Sequence, residues 1–269
     1  MSDESIDDLF AASLKGDRED DAAWDAVKKL RFLGSKEVLD KAIALTHSDI
    51  AEHRARGADV LGQLGVGKGV SSTSFIPQRL DALLAMLPHE TDPVVLDAVI
   101  IAIGHLGEPE GVRAVVPFAT HPDENVRYAV AWVLPRGLGD EPQIVDTLIR
   151  LMQDPDSDVR DWATFGLGSQ SRADSPVIRD ALAERLQDSD DDTRAEATVG
   201  LAQRKDLRAL PIVLEELERD EYGVLYEEAA SHLLNLEEVK PEGWESWRYV
   251  EELRTRFNIQ NETPGKYIT

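Results

Sequence analysis

Apolar residues recur along the chain at helical spacing, as in Leu80, Leu83, Leu84 and Leu87, and strand-like alternation is nowhere sustained. The pattern divides into helical pairs. First helices are predicted over Ser35–Thr46, Ile76–Leu87, Gly111–Thr120, Gln143–Gln153, Pro176–Gln187 and Leu207–Arg219. Second helices are predicted over Ile50–Leu64, Pro93–Leu106, Glu124–Leu134, Ser157–Leu167, Asp191–Gln203 and Gly223–Leu236. A weaker pair, Ser5–Leu14 and Ala22–Leu33, comes first, with Gly34 as a helix stop. Glu242–Phe257 reads as a closing helix, and residues 258–269, with Pro264 and Gly265, as a flexible tail.

The second helices repeat one phrase. It reads PDENVRYAVAWVLPRGLG around Arg127, PDSDVRDWATFGLG around Arg160 and SDDDTRAEATVGLAQR around Arg194, with a looser copy around Arg54. Aligned on that arginine, the copies fall at Arg54, Leu96, Arg127, Arg160, Arg194 and Glu227, roughly 33 residues apart after a longer first step. Asp49, Asp123, Asp156 and Asp190 lie in the preceding turn, where a carboxylate can cap the second helix. The arginine, one turn further in, is expected to reach the Asp of an adjacent unit and so form a ladder that lapses at Leu96 and Glu227. Small residues after the arginine, such as Ala129 and Ala131 or Ala195 and Ala197, let helices approach closely.

The segment Asp158–Gly168, with its relatives Asn125–Gly139 and Asp192–Ala202, resembles HEAT repeats, and is most similar to the bacterial phycobiliprotein-lyase HEAT-like subclass. The resemblance runs over Ser35–Leu236. It implies an all-α fold, a right-handed α-α superhelix of about six to seven helical pairs. On this reading residues 1–257 form a single array: a capping pair over 1–34, repeats over 35–236 and a capping helix over 242–257. The family includes scaffolds, lyases, hydroxylases, DNA-repair enzymes and regulators, so the fold alone does not carry a function.

Charge narrows the partners. With 52 acidic against 29 basic side chains, the formal net charge is −23. Such a field repels nucleic acid and anionic membrane surfaces and favours a basic protein or peptide partner, or simple solubility. The absence of cysteine excludes disulfides, thiolate metal sites and a Cys nucleophile. The first residues, MSDESIDDLF, lack the features of a secretory signal, and no apolar run approaches membrane-spanning length, so a cytoplasmic location is the default expectation.

Candidate chemistry is sparse. The segment Gly62–Ser72 nearly matches a phosphate-binding loop, but Gly69 follows Lys68 where Ser or Thr is needed, and a helix precedes it where a strand is required. It reads instead as an inserted loop over Gly65–Ser74. Of the six histidines, only His89 is followed by Glu, whereas the iron-binding hydroxylases of the resembling family use several such pairs. The acidic run Asp188–Asp192 lacks the spacing of a calcium loop. No catalytic, cofactor or metal residues are assigned.

What remains is the surface of the second helices. One, five and nine residues past each aligned position lie three lines across it. The middle line, with Ile101, Trp132, Phe165 and Val199, is apolar and aromatic where a solvated face would be polar. The expectation is a non-enzymatic interaction scaffold that holds a partner in this groove. Ile101, Tyr128, Trp132 and Phe165 would anchor it, Asp59, Asp97 and Asp161 would steer it, and Arg136 would line the rim. Two alternatives stand beside it: an immunity or inhibitor protein against a basic toxin, and a lyase or metal-dependent modifying enzyme on the same scaffold.

Overall fold

The computed structural model describes residues 4–65, 74–138, 140–219, 223–236 and 244–259. Residues 66–73 of the expected inserted loop, residues 242 and 243 of the closing helix and residues 260–269 of the tail lie outside them. No strand occurs among the described residues. The chain gathers into two compact units, Met1–Leu151 and Met152–Thr269.

The first unit holds α1 (Ile6–Ser13), α2 (Asp21–Leu33), α3 (Lys36–Leu45), α4 (Ala51–Gln63), α5 (Ile76–Met86), α6 (Pro93–Leu106), α7 (Pro109–Val115), α8 (Glu124–Val133), the short α9 (Pro135–Leu138) and α10 (Pro142–Leu151). Its second helices stack in order, α2 on α4, α4 on α6 and α6 on α8. The second unit holds α11 (Ser157–Phe165), α12 (Pro176–Arg185), α13 (Asp191–Gln203), α14 (Leu210–Leu217), α15 (Val224–Leu234) and α16 (Ser246–Arg256). There α11 packs on α13 and α13 on α15. The α7 helix begins two residues before its predicted start, because Pro109 takes the first helical position, where a missing N–H costs nothing.

The repeated phrase sets each turn by two devices. Asp92, Asp123, Asp156 and Asp190 accept from backbone N–H groups at the starts of α6, α8, α11 and α13. Asp49 does not; Ile50 holds the cap position of α4 without a side-chain bond. The arginines then tie back to the carbonyl six residues earlier: Arg54 to Ser48, Arg127 to His121, Arg160 to Asp154 and Arg194 to Asp188. The ladder partner is not the capping Asp. Arg54 grips Glu90 at 2.7 and 3.0 Å, and Arg160 grips Asp188 at 2.9 and 2.8 Å, in each case two residues before the cap of the next repeat.

Two buried arginines hold the array by donating to backbone carbonyls. Arg79 on α5 donates to the Leu61 and Gly62 carbonyls at the end of α4, and burial pulls its guanidinium down to about 10. Arg204 donates to the carbonyls of Leu167, Gly168, Gly200, Ser171 and Ala173. These bonds wrap a π turn over Gly166–Gln170 that widens the end of α11. Beside it Gly168 faces Gly200 so closely that a Cβ on Gly200 would lie 2.6 Å from the Gly168 Cα.

Candidate functional site

In the first unit the carboxylates of the second helices meet an internal cation. Arg18, in the turn between α1 and α2, donates to Asp59 on α4 from Nε at 3.0 Å and Nη2 at 2.7 Å. Its Nη1 stands 3.5 Å from Asp97 on α6. Arg56 adds a bond to Asp59 at 3.2 Å and donates to the Arg18 carbonyl at 2.7 Å, with its guanidinium 5.2 Å from the Trp24 ring. The Asp59 side chain is 4% exposed. Expected to steer a partner, Asp59 instead holds two arginines of its own chain. Asp97 shares Arg18, yet burial outweighs that attraction and raises its carboxyl above the usual range.

The aromatic line of this unit is half-exposed. Ile101, Tyr128 and Trp132 are each partly buried. Tyr128 lines an open cavity of about 430 Å³ with Arg18, Asp97 and Val94. Arg136 lies flat over Trp132, its guanidinium carbon 3.5 Å from the ring centroid, and donates from Nε to the Trp132 carbonyl at 3.2 Å. His105 meets the same ring edge-on at 5.2 Å. One face of the expected anchor is therefore covered by the residue expected at its rim.

The second unit differs in charge. Asp161 on α11 and Glu196 on α13 are half-buried, and neither makes an ion pair among the described residues. One oxygen of Asp161, Oδ1, is buried without a hydrogen bond. Burial, reinforced by Asp192, Asp190 and Asp158, pushes Asp161 up to about 6. Burial raises Glu196 to about 7 against a 3.0 Å bond from Ser169 Oγ, with Asp161, Glu228 and Asp192 adding repulsion. Phe165 packs edge-on against Trp162 at 5.6 Å and stays half-exposed. Sequence reasoning missed Glu196, which lies one residue off the counted lines, and missed Arg18, which reaches its partner from 41 residues away. Among the described residues, no group of three or more His, Asp or Glu side chains is placed to hold a metal ion.

A family model for HEAT repeats matches residues 80–168 and 144–233, more than half of the chain. The chain belongs to the HEAT-repeat family. Among solved structures this HEAT-repeat chain is similar to the Escherichia coli protein YibA, at 25% identity and a TM-score of 0.73 over 93% of this chain and 92% of that one. It shares its fold with the HEAT-like repeat protein of the archaeon Thermococcus onnurineus NA1, at 19% identity and a TM-score of 0.54 over 87% and 97% of the two chains. No curated protein matches the sequence.

The expectation that the chain is not an enzyme is corrected by the remaining structural matches. They include the CpcE–CpcF complex of phycocyanin lyase from Nostoc sp. PCC7120, at 16% identity and a TM-score of 0.45 over 95% and 96% of the chains. They also include human deoxyhypusine hydroxylase, at 19% identity and a TM-score of 0.38. The likeness is too distant to assign either reaction to this chain. No helix among the described residues is long and apolar enough to cross a membrane.

Proposed function

We propose that this HEAT-repeat chain is a protein-binding module. On this reading the second-helix face of its second unit takes a basic side chain of a partner against Asp161 and Glu196, beside Phe165. One observation carries the reading: two half-buried carboxyls, raised to about 6 and 7, that no cation meets among the described residues. Burying a charge without a partner is unfavourable, and an incoming guanidinium or ammonium would relieve both burial and mutual repulsion. The first unit supplies the comparison. There Arg18 already fills this role for Asp59 and Asp97.

In the first unit the surface we assign to a partner is the open cavity lined by Arg18, Val94, Asp97 and Tyr128. A basic partner is favoured on charge alone by the net −23 of the chain.

The test is calorimetry with an arginine-rich peptide on the full chain. A bound cation lowers the pKa of a carboxyl, so binding near pH 6.5 should expel protons, seen as a heat that varies with buffer ionisation enthalpy. The double substitution Asp161→Asn with Glu196→Gln should abolish that release and weaken binding about tenfold or more. Equal affinity and equal proton release in the variant would remove this face from consideration.

A further inference from the structure

At the opposite, C-terminal ends of the second helices in the first unit, the charge reverses. Arg31 lies in the last turn of α2, Gln63 ends α4, His105 lies in the last turn of α6, and Arg136 on α9 follows α8. These side chains form a connected set. Arg31 Nη1 donates to Gln63 Oε1 at 3.2 Å, which directs the Gln63 amide N–H toward His105 Nε2 at 3.4 Å. The His105 ring meets Trp132, and Trp132 carries Arg136 on its face.

Arg136 is unusual in this chain. Arg54, Arg113, Arg160, Arg179 and Arg208 each pair with a carboxylate of the chain. Arg136 makes no ion pair among the described residues, although acidic side chains outnumber basic ones by nearly two to one. Stacking on Trp132 and the Nε bond to the Trp132 carbonyl orient the guanidinium and leave Nη1 and Nη2 with no hydrogen bond among the described residues. His105 registers the same local field. After burial, the nearby charges of Arg136, Arg31 and Arg79 lower its pKa, opposed by Asp59.

We infer that Arg136, held flat on Trp132 beside His105 and Gln63, is a receptor for a carboxylate of a partner protein, presented by an acidic peptide segment. The planar guanidinium fork matches a carboxylate with two parallel N–H bonds, and its orientation is set before binding. A single carboxylate fits this local patch. A polyphosphate backbone, with charge at every residue, would be repelled more strongly by the net −23 of the chain than one carboxylate is. The inference stands apart from the acidic face of the second unit: it concerns other residues and a partner group of opposite charge.

Fluorine NMR of the full chain labelled with 5-fluorotryptophan tests it, with the Trp132 resonance assigned by Trp132→Phe. The probe is the acetylated, amidated tetrapeptide Asp-Glu-Asp-Glu, in about 150 mM salt so that long-range repulsion is screened beyond about 8 Å. A saturable shift of Trp132 with Trp24 unmoved is expected, and Arg136→Gln should weaken it about tenfold or more. Titrating His105 to its charged form should strengthen binding as pH falls, and His105→Gln should remove that dependence. No Trp132 shift, or a shift retained in a folded Arg136→Gln chain, would overturn the inference. An equal shift with an oligothymidylate of four nucleotides would overturn it in favour of phosphate recognition.

Discussion

Arg160 reaches from α11 to Asp188, at the turn before α13, and holds it with two parallel bonds at 2.9 and 2.8 Å. The Asp188 side chain is 4% exposed and also accepts from Arg185 at 3.1 Å. Arg54 and Glu90 repeat the same relation in the first unit. A repeat is thus tied to its neighbour by a charge-assisted fork whose acid precedes the helix cap.

Replacing Asp188 with Asn should destabilise the chain by about 3 kcal/mol, because two arginines are left in a buried setting without their anion. Arg160→Ala should cost less, since Arg185 still holds the carboxylate. Burial opposes the Asp188 charge, but the bonds from Arg160 and the Asp190 backbone outweigh it and hold the carboxyl below its usual range. Its stabilisation is therefore full above the unfolded pKa and is lost as pH falls through the lower folded value. Urea unfolding at neutral and acid pH checks both statements. A loss under about 0.5 kcal/mol for Asp188→Asn would place this pair with ordinary surface bridges.

Asp161 and Glu196 should behave in the opposite sense. Their folded values, about 6 and about 7, lie above the unfolded ones. Folded chains then bind more protons than unfolded ones between about pH 4 and 7, and stability falls as pH rises through that window. Asp161→Asn and Glu196→Gln should each stabilise at about pH 8 by about 1 kcal/mol, after allowance for solvent screening, and by little at about pH 4. Thermal melts of both variants across this range check it. A stability gain independent of pH would refute the assignment.

Gly200→Ala should destabilise even though alanine favours a helix by about 1 kcal/mol. The added Cβ would meet backbone, the Gly168 Cα at 2.6 Å, so α11 and α13 must separate. A net loss of about 1 to 2 kcal/mol in a denaturant melt is expected. A gain would mean that these helices separate at little cost.

Arg18→Ala should expose in the first unit what the second unit already presents. Asp59 would keep only Arg56, and Asp97 would lose its nearest cation. The expected result is a loss of about 3 kcal/mol and a new site for an arginine-rich peptide, read by calorimetry as an added binding event absent from the parent chain. Destabilisation without new binding would count against the parallel drawn between the two faces.

The repeats could be read in the sequence because their causes are local. Helical periodicity located α6 and α13 to the residue, and the Asp before α8, α11 and α13 caps through bonds two or three residues away. Glu90 and Asp188 were visible as acids but not as ladder partners, since the twist that brings Arg54 and Arg160 to them accumulates over a whole repeat.

The sequence by itself therefore determined the all-α repeat, its register and the residues of the second-helix lines. Only the tertiary structure decided which carboxylates meet a cation. Asp59, Asp97 and Asp161 read alike along the chain. Arg18 arrives at the first two from the turn before α2, whereas among the described residues no arginine pairs with the third. The same distinction applies to the arginines, where Arg160 is held in an ion pair and Arg136 lies on an indole ring without one. Charge pairing falls off within a few ångströms and is set by contacts between residues far apart in sequence, so the pattern along the chain does not encode it.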